Sequence, residues 1–113
     1  MKINKSLMTG STTMLILKLL EEKDMYGYQM IEELAKKSDD TFALKAGTLY
    51  PLLHNLEVKS MLESYDSNAD SNRVRKYYSI TNKGKKLLHE KKKEWSVYTS
   101  AVNNIMEGGA CLV

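Results

Sequence analysis

Hydrophobic residues in the first half of the chain recur at the spacing expected of helices. Residues 11–23 predict a first helix that is apolar on nearly every side, with Ser11, Thr12 and Thr13 as candidate N-caps. A helix of this kind is buried on two sides, and we expect a partner subunit on one of them. A second helix begins just after Tyr28 and runs to about Lys37.

A third helix is predicted by leucines that recur at i, i+3, i+4 and i+7. These leucines are Leu49, Leu52, Leu53 and Leu56. The chain's single proline, Pro51, lies among them, and a proline inside a helix removes a backbone hydrogen bond. If Gly47 or Thr48 caps the helix, Pro51 falls in the first turn, where its missing N–H would be unpaired anyway. We therefore expect an unbroken helix that ends near Lys59 and carries the proline ring on its outer face.

The hydrophobic period changes after residue 61. Residues 62–65 and 73–80 are rich in tyrosine and branched side chains, and they flank the turn-rich sequence DSNADSN. This pattern predicts a β-hairpin. Because side chains alternate along a strand, Tyr78 shares one face with Ile80, whereas Arg75 points to the other face.

A long helix follows, from about residue 82 to residue 107, with Thr81 as its N-cap and Gly108 after its end. At ~1.5 Å per residue it is roughly 39 Å long, which is more than one small domain covers. Its apolar residues recur in a near-heptad pattern that predicts a seam between two subunits. These residues are Leu88, Trp95, Tyr98, Val102 and Ile105.

The order of these elements is three helices, a hairpin and a long helix, which is typical of a winged helix-turn-helix with an added helix. The chain of 113 residues fits a single small core. We therefore predict a mainly α (α+β) fold with a winged helix-turn-helix domain at residues 1–81. We further predict a dimerisation helix at residues 82–107 and a flexible tail at residues 108–113.

The formal charge of +3 is unevenly distributed along the chain. Residues 73–93 carry nine basic side chains and one acidic side chain, a charge of +8, which leaves −5 for the rest. This end of the chain therefore attracts polyanions, and double-stranded DNA is the expected partner.

The third helix and the hairpin carry the candidates for DNA contact. Asparagine can pair with adenine in the major groove, and lysine or threonine can bind phosphate. The candidates are Lys45, Thr48, Tyr50, His54 and Asn55 in the helix region and Arg73, Arg75 and Lys76 in the hairpin. Two alternatives stay open: the helix face is simply solvated, and the hairpin charges prevent aggregation between strands.

Trp95 is the chain's single tryptophan and lies midway along the long helix. It is either an anchor between two subunits or a platform that stacks on a flat aromatic molecule at a two-fold axis. For the second alternative, we expect Leu7, Met14 and Leu17 to line the same effector site.

Other functions lack the residues that they need. The single cysteine, Cys111, cannot form an internal disulfide, which favours a reducing cytoplasm. No apolar run approaches the roughly 20 residues of a membrane span, and no cleavage site follows the N-terminal apolar run. His54 and His89 have no carboxylate or thiol at metal-ligand spacing. We expect no catalysis, no metal and no cofactor.

Four ordered segments resemble the signature segments of the PadR family of transcriptional regulators: MYGYQMIEEL, AGTLYPLLHNLE, MLES and RKYYSITNKGKKLL. The resemblance runs from about residue 14 to residue 88, and the single helix that follows looks like that of the small subfamily, whose members are homodimers that bind operator DNA. The resemblance implies that Tyr50, Arg75 and Lys76 serve DNA binding. It also implies that Trp95 is similar to a tryptophan that stacks on planar drugs.

The chain departs from the family pattern at several positions. His54 and Asn55 stand where many relatives carry arginines, so the operator sequence is not transferable. Ser60 stands where the family usually has a glycine after the third helix.

Together these observations predict a homodimeric repressor that binds a pseudo-palindromic operator and is released by a small planar aromatic or phenolic effector. Two other functions stay open. One is a winged-helix module that binds an acidic protein through its basic hairpin, and the other is a repressor without an effector. Salt-dependent binding to DNA fragments separates the first of these from a DNA-binding protein.

Overall fold

The computed structural model describes residues 3–69 and 71–108 of the chain. Its elements are α1 (Lys5–Glu22), β1 (Met25–Tyr26), α2 (Gly27–Lys37), α3 (Ala46–Val58), β2 (Leu62–Ser67), β3 (Arg75–Ile80) and α4 (Asn82–Met106). The predicted winged helix-turn-helix with a long final helix is confirmed. Beyond Gly108 the predicted tail lies outside the described residues, as does Cys111.

Helix α1 begins well before its predicted start at Ser11. Asn4 is the N-cap, and its Oδ1 accepts a hydrogen bond from the Ser6 N–H at 2.9 Å. The prediction that Ser11, Thr12 or Thr13 caps the helix is wrong, because all three lie within it. Ser11 is buried, and its hydroxyl donates to the Met8 carbonyl at 3.1 Å. The first turns of α1 carry few apolar residues, so hydrophobic spacing could not indicate them.

Helices α2 and α3 both end in left-handed turns that contain no glycine. The φ angle is +51° at Asp39 and +62° at Ser60. After α3, the Met61 N–H donates to the Leu56 carbonyl and the Ser60 N–H donates to the Glu57 carbonyl, both at 2.9 Å. This pair of bonds is a Schellman motif, which satisfies the last carbonyls of the helix. A residue with a side chain is unfavourable in this conformation by roughly 1–2 kcal/mol.

The prediction that Pro51 lies in the first turn of α3 is wrong. Lys45, rather than Gly47 or Thr48, is the N-cap, so Pro51 lies in the second turn. There a proline removes the bond that its N–H would donate to the Gly47 carbonyl. Both residues are exposed, so water can hydrate that carbonyl, and α3 continues without a break to Val58.

The sheet contains a strand that the sequence did not predict. β1 pairs antiparallel with β3, which also pairs with β2, so the strand order is β1-β3-β2. The register places Met25 opposite Tyr78 and Tyr26 opposite Tyr77. A strand of two residues is too short to show an alternating pattern, yet it makes β3 the central strand.

One hydrophobic core lies between α1, α2, α3, the sheet and the first half of α4. Its most deeply buried side chains are Ile16, Leu17, Leu20, Met25, Met30, Leu49, Leu53, Leu62 and Leu88. The prediction that Leu88 belongs to a seam between subunits is therefore wrong. This side chain is 1% exposed inside one chain and cannot contact another.

Thr81 joins three elements at the point where α4 begins. Its hydroxyl donates to the Ser60 carbonyl at 2.7 Å and accepts the Gly84 N–H at 3.0 Å, which confirms the predicted N-cap. The Thr81 N–H donates to the Met61 carbonyl at 3.1 Å. A Cβ atom on Gly84 would lie 2.2 Å from that carbonyl oxygen, so glycine permits this close approach. The start of α4 is thus held against the end of α3 and the start of β2.

The second half of α4 extends away from the core, and the molecule measures 61 × 31 × 21 Å. From Trp95 to Gly108 every side chain except that of Thr99 is exposed. The apolar residues among them include Val97, Tyr98, Val102 and Ile105. Among the described residues, no helix is long and apolar enough to cross a membrane.

Candidate nucleic-acid interface

The outward face of α3 is polar and accessible. Leu49, Leu53 and Leu56 are buried in the core and fix the rotation of the helix. The opposite face is exposed and carries Thr48, Pro51, His54 and Asn55. The predicted candidates of α3 thus share a surface that a double helix can reach.

Tyr50 connects the beginning of α3 to the beginning of α2. Its hydroxyl oxygen occupies the space beside Gly27, where a Cβ atom would lie only 2.3 Å away. The ring makes an edge-to-face contact with Tyr28, with centroids 6.4 Å apart. Burial raises the pKa of the Tyr50 phenol, so the hydroxyl stays protonated and can donate a hydrogen bond. Because 40% of the side chain is exposed, it remains available to a ligand such as phosphate.

The hairpin of β2 and β3 with its connecting loop, residues 62–80, is called the wing below. On its outer face the Arg75 guanidinium lies 4.2 Å from the ring centroid of Tyr26. Tyr77 packs against Tyr26 edge-to-face and stacks on Tyr65, with centroids 5.5 Å and 5.8 Å away. This aromatic layer supports Arg75 and continues onto β1, which the sequence did not predict.

Tyr65 ends the aromatic layer and is tied to the chain before β1. Its hydroxyl donates to Asp24 Oδ2 at 2.6 Å. This hydrogen bond to the carboxylate raises the pKa of the Tyr65 phenol. The contact fixes the outer strand of the wing to the segment between α1 and α2.

Lys76 points to the opposite face of the wing, as the predicted alternation requires. Its Nζ lies 3.6 Å from Glu57 Oε1 on α3 and 5.5 Å from the ring centroid of Tyr78. The sequence identified Lys76 as a DNA contact but did not indicate Glu57 as its partner. Since the two residues are far apart along the chain, no local spacing could have shown this pair.

A groove of about 450 Å³ lies between the starts of α2 and α3 and the wing. Its charged and aromatic lining residues are Tyr26, Tyr28, Glu32, Tyr50, Arg73, Arg75 and Lys76. The structure therefore brings together predicted residues from the third helix and the hairpin. It adds two tyrosines that sequence reasoning missed, although both lie within the tyrosine-glycine-tyrosine motif before the second helix.

Lys45 and Thr48 lie apart from this groove. They line a separate cavity of about 520 Å³ that also includes Met8 and Leu44. This cavity lies between the first turns of α1 and the start of α3. The predicted DNA contacts thus do not all lie in one groove.

The predicted effector residues are only partly brought together. Leu7, Met14, Trp95 and Tyr98 line a cavity of about 320 Å³ between α1 and α4. Leu17 does not belong to it: this side chain is 0% exposed in the core, so its predicted effector contact is wrong.

The ring centroids of Trp95 and Tyr98 are 6.3 Å apart in this cavity. Glu94 also lines the cavity and was not predicted, although it directly precedes Trp95 in the sequence. One side of the cavity is therefore apolar and aromatic, and Lys91 and Glu94 add an ammonium group and a carboxylate to its lining.

The described part of the chain contains no group of three or more histidine, cysteine, aspartate or glutamate side chains that could hold a metal ion. The groove is lined by tyrosine rings, by the cations Arg73, Arg75 and Lys76, and by one carboxylate, Glu32. Hydroxyls and cations bind phosphate and base edges, and nothing in their arrangement resembles a nucleophile beside its base.

Comparisons with known proteins agree with this geometry. A family model described as the transcriptional regulator PadR-like family matches residues 16–90. An uncharacterized protein from Lysinibacillus sphaericus is 35% identical over 106 residues, which covers 94% of this chain and 97% of that protein.

Solved structures show the same fold. A transcriptional regulator from Clostridium thermocellum is 31% identical with a TM-score of 0.83, and the alignment covers 90% of this chain and 96% of that one. A PadR-like transcriptional regulator from Bacillus cereus is also 31% identical with a TM-score of 0.83, over 92% of this chain and 99% of that one. A PadR family regulator from Clostridium difficile is 38% identical with a TM-score of 0.72, over 85% and 98%. The chain belongs to the PadR-like family of transcriptional regulators, which are DNA-binding proteins and not enzymes.

Proposed function

We propose that this protein is a homodimeric repressor in which α3 contacts the bases of the operator and the wing contacts the DNA backbone. The observation that carries this proposal is the groove in which Tyr28, Tyr50, Arg73 and Arg75 meet beside the exposed face of α3. Two tyrosine hydroxyls and two guanidinium groups form a surface suited to phosphate.

In this arrangement the phosphate contacts set the register, and α3 reads the bases. His54 and Asn55 lie on the exposed face of α3 and can reach base edges in the major groove. At the start of α3, Lys45 and Thr48 are exposed and suited to a second phosphate contact. Arg73 lies in the exposed loop of the wing, where it suits phosphate or the minor groove.

The dimer in this proposal forms through the second half of α4. Trp95 is 41% exposed and Ile105 is 79% exposed, and Tyr98 and Val102 lie between them on the same helix. A continuous apolar surface of this kind on a soluble transcription factor favours a second copy of the same chain. A two-fold axis then presents two α3 helices to half-sites about 10 base pairs apart.

Effector control is the finer part of the proposal. The cavity that contains Leu7, Met14, Trp95 and Tyr98 supports binding of a planar aromatic or phenolic molecule at the dimer axis. Such a molecule relieves repression only if it binds the DNA-incompetent dimer more tightly than the DNA-competent one. A change in the angle between the two α4 helices would alter the spacing of the wings.

Affinity selection from a random duplex library tests the DNA-binding function. We expect the sequenced products to contain two inverted half-sites with centres about 10 base pairs apart. A module that binds an acidic protein would enrich no sequence.

Salt titration then tests the groove itself. Arg75→Gln should flatten the slope of log affinity against log salt by about 0.9, because one phosphate contact is lost. Lys36→Gln, which removes an exposed charge at the far end of α2, should leave the slope unchanged. Equal slopes for wild type and Arg75→Gln would contradict the proposed phosphate contact.

Tryptophan fluorescence tests the effector site, because Trp95 is the chain's single tryptophan. Planar aromatic compounds should quench it in the wild-type dimer and lower affinity for the selected operator. Absence of quenching across a broad panel, with a folded dimer, would leave a repressor without an effector.

A further inference from the structure

Glu57 lies in the last turn of α3, on the side that faces the wing. Its Oε2 accepts a hydrogen bond from the Ser64 hydroxyl on β2. Its Oε1 lies 3.6 Å from the Lys76 Nζ on β3. One carboxylate therefore contacts both strands of the wing.

The two contacts lie on the face of the sheet that faces α3. Ser64 is paired with Tyr78 across the strands, and Lys76 is paired with Asp66. Because paired residues share a face, Ser64 and Lys76 continue outward from the buried Tyr78. Glu57 thus connects α3 to the wing at the point where the wing leaves the core.

The same carboxylate changes the charge that the wing presents. Arg75 and Lys76 are adjacent in sequence and both line the groove, but their cationic groups make different contacts. Arg75 stacks on Tyr26 and forms no salt bridge within the described residues, whereas Lys76 is paired with Glu57. A carboxylate beside a phosphate-binding surface repels DNA and occupies the ammonium group that would otherwise attract it.

We propose that Glu57 is a positioning residue for DNA recognition, which fixes the wing relative to α3 and withholds Lys76 from phosphate. This inference rests on the proposed DNA-binding function. The expected effect is on specificity. Random DNA is bound through charge alone, so a Lys76 that is paired with Glu57 does not raise the affinity for random DNA. Affinity for the operator also depends on a wing that is held at a fixed angle to α3.

The test compares Glu57→Gln with the wild-type dimer on the selected operator and on a random duplex over a range of salt. Glutamine keeps the size of the side chain and can still bond to Ser64, but it releases Lys76. We expect the slope of log affinity against log salt to steepen by about 0.9 on random DNA. Near 0.1 M salt this is a gain of roughly eightfold in random-DNA affinity. Operator affinity should not rise, so the specificity ratio should fall by a similar factor.

Three further variants separate charge from position. Glu63→Gln is the matched control, because this exposed glutamate lies next to Ser64 on the opposite face of β2. It should leave the slope and the specificity ratio unchanged. Glu57→Gln combined with Lys76→Gln should return the slope to the wild-type value. Ser64→Ala keeps the carboxylate but removes its hydrogen bond, so it should weaken operator binding without a change in slope.

The outcomes distinguish this inference from the function on which it rests. If wild type selects an operator but Glu57→Gln behaves as Glu63→Gln does, the positioning role is wrong and the pair is an ordinary surface salt bridge. If wild type selects no DNA, the proposed function itself fails. Thermal unfolding followed by circular dichroism verifies that each variant is folded before its binding is compared.

Discussion

The two halves of α4 have very different surroundings. In the first half, Gly84 and Leu88 are buried against the hairpin and the core. In the second half, Trp95, Tyr98 and Ile105 are exposed. The first half completes the fold of one chain, whereas the second half offers a surface that one chain leaves uncovered. Substitutions in the first half should therefore change stability, and substitutions in the second should change assembly.

The largest expected effect is on stability, from Leu88→Ala. Removal of a buried leucine side chain leaves a cavity and should lower the free energy of unfolding by about 2–5 kcal/mol. Ile105→Ala is the matched control in the exposed half. In urea denaturation at concentrations where the protein is monomeric, it should leave the midpoint unchanged. If both variants lost the same free energy of unfolding, the two halves of α4 would not differ in their contribution to stability.

The next effect is on assembly, from Tyr98→Glu. A carboxylate desolvated in an apolar interface without a partner should cost about 3 kcal/mol or more. That cost should raise the dissociation constant of the proposed dimer by roughly 100-fold or more. Ser100→Glu adds the same charge on the opposite side of α4 and should have little effect. Sedimentation velocity measures both, and a Tyr98→Glu protein that dimerises as wild type does would place the interface elsewhere.

A smaller effect, on stability alone, is expected from Ser60→Gly. Glycine adopts the left-handed conformation after α3 without the steric penalty of a side chain, although it orders more backbone on folding. The net gain in the free energy of unfolding should be about 0.5–1 kcal/mol. Asp39→Gly, at the matching position after α2, should give a similar gain. Neither variant should change the dissociation constant of the proposed dimer. An effect on assembly would show that these turns are coupled to the second half of α4.

The smallest effect is a dependence of stability on pH at Tyr65. The hydrogen bond to Asp24 raises the pKa of this phenol above its unfolded value of about 10. The resulting stabilisation is complete below the unfolded pKa and is lost as pH rises through the higher folded pKa. Urea denaturation of wild type and Tyr65→Phe at alkaline pH should converge as the phenol ionises. Parallel pH profiles would show that the hydrogen bond contributes nothing.

The sequence predicted the elements whose hydrophobic spacing is long enough to be read. The third helix, the hairpin and α4 lie close to their predicted bounds, because each is defined by several apolar residues or by a clear cap such as Thr81. The first turns of α1 and the whole of β1 were missed. The former are mostly polar, and the latter is two residues long and exists only because β3 offers its free edge.

The sequence also predicted most of the candidate interface but not its internal contacts. Tyr50, Arg75 and Lys76, which the resemblance assigns to DNA binding, line one groove together with Arg73. Heptad spacing, however, is the same for a contact within one chain and a contact between two, so it assigned Leu88 to the wrong partner. The pairing of Lys76 with Glu57 depends on how the wing packs against α3, and only tertiary structure shows it.

Thr81 links the movement of α4 to that of α3 and the wing. Its hydroxyl contacts the Ser60 carbonyl, its backbone N–H contacts the Met61 carbonyl, and its side chain caps α4. Only one short connection therefore separates the end of α3 from the first strand of the wing, and α4 starts against it. In the dimer that we propose, a small rotation of α4 about this connection would tilt α3 and the wing together.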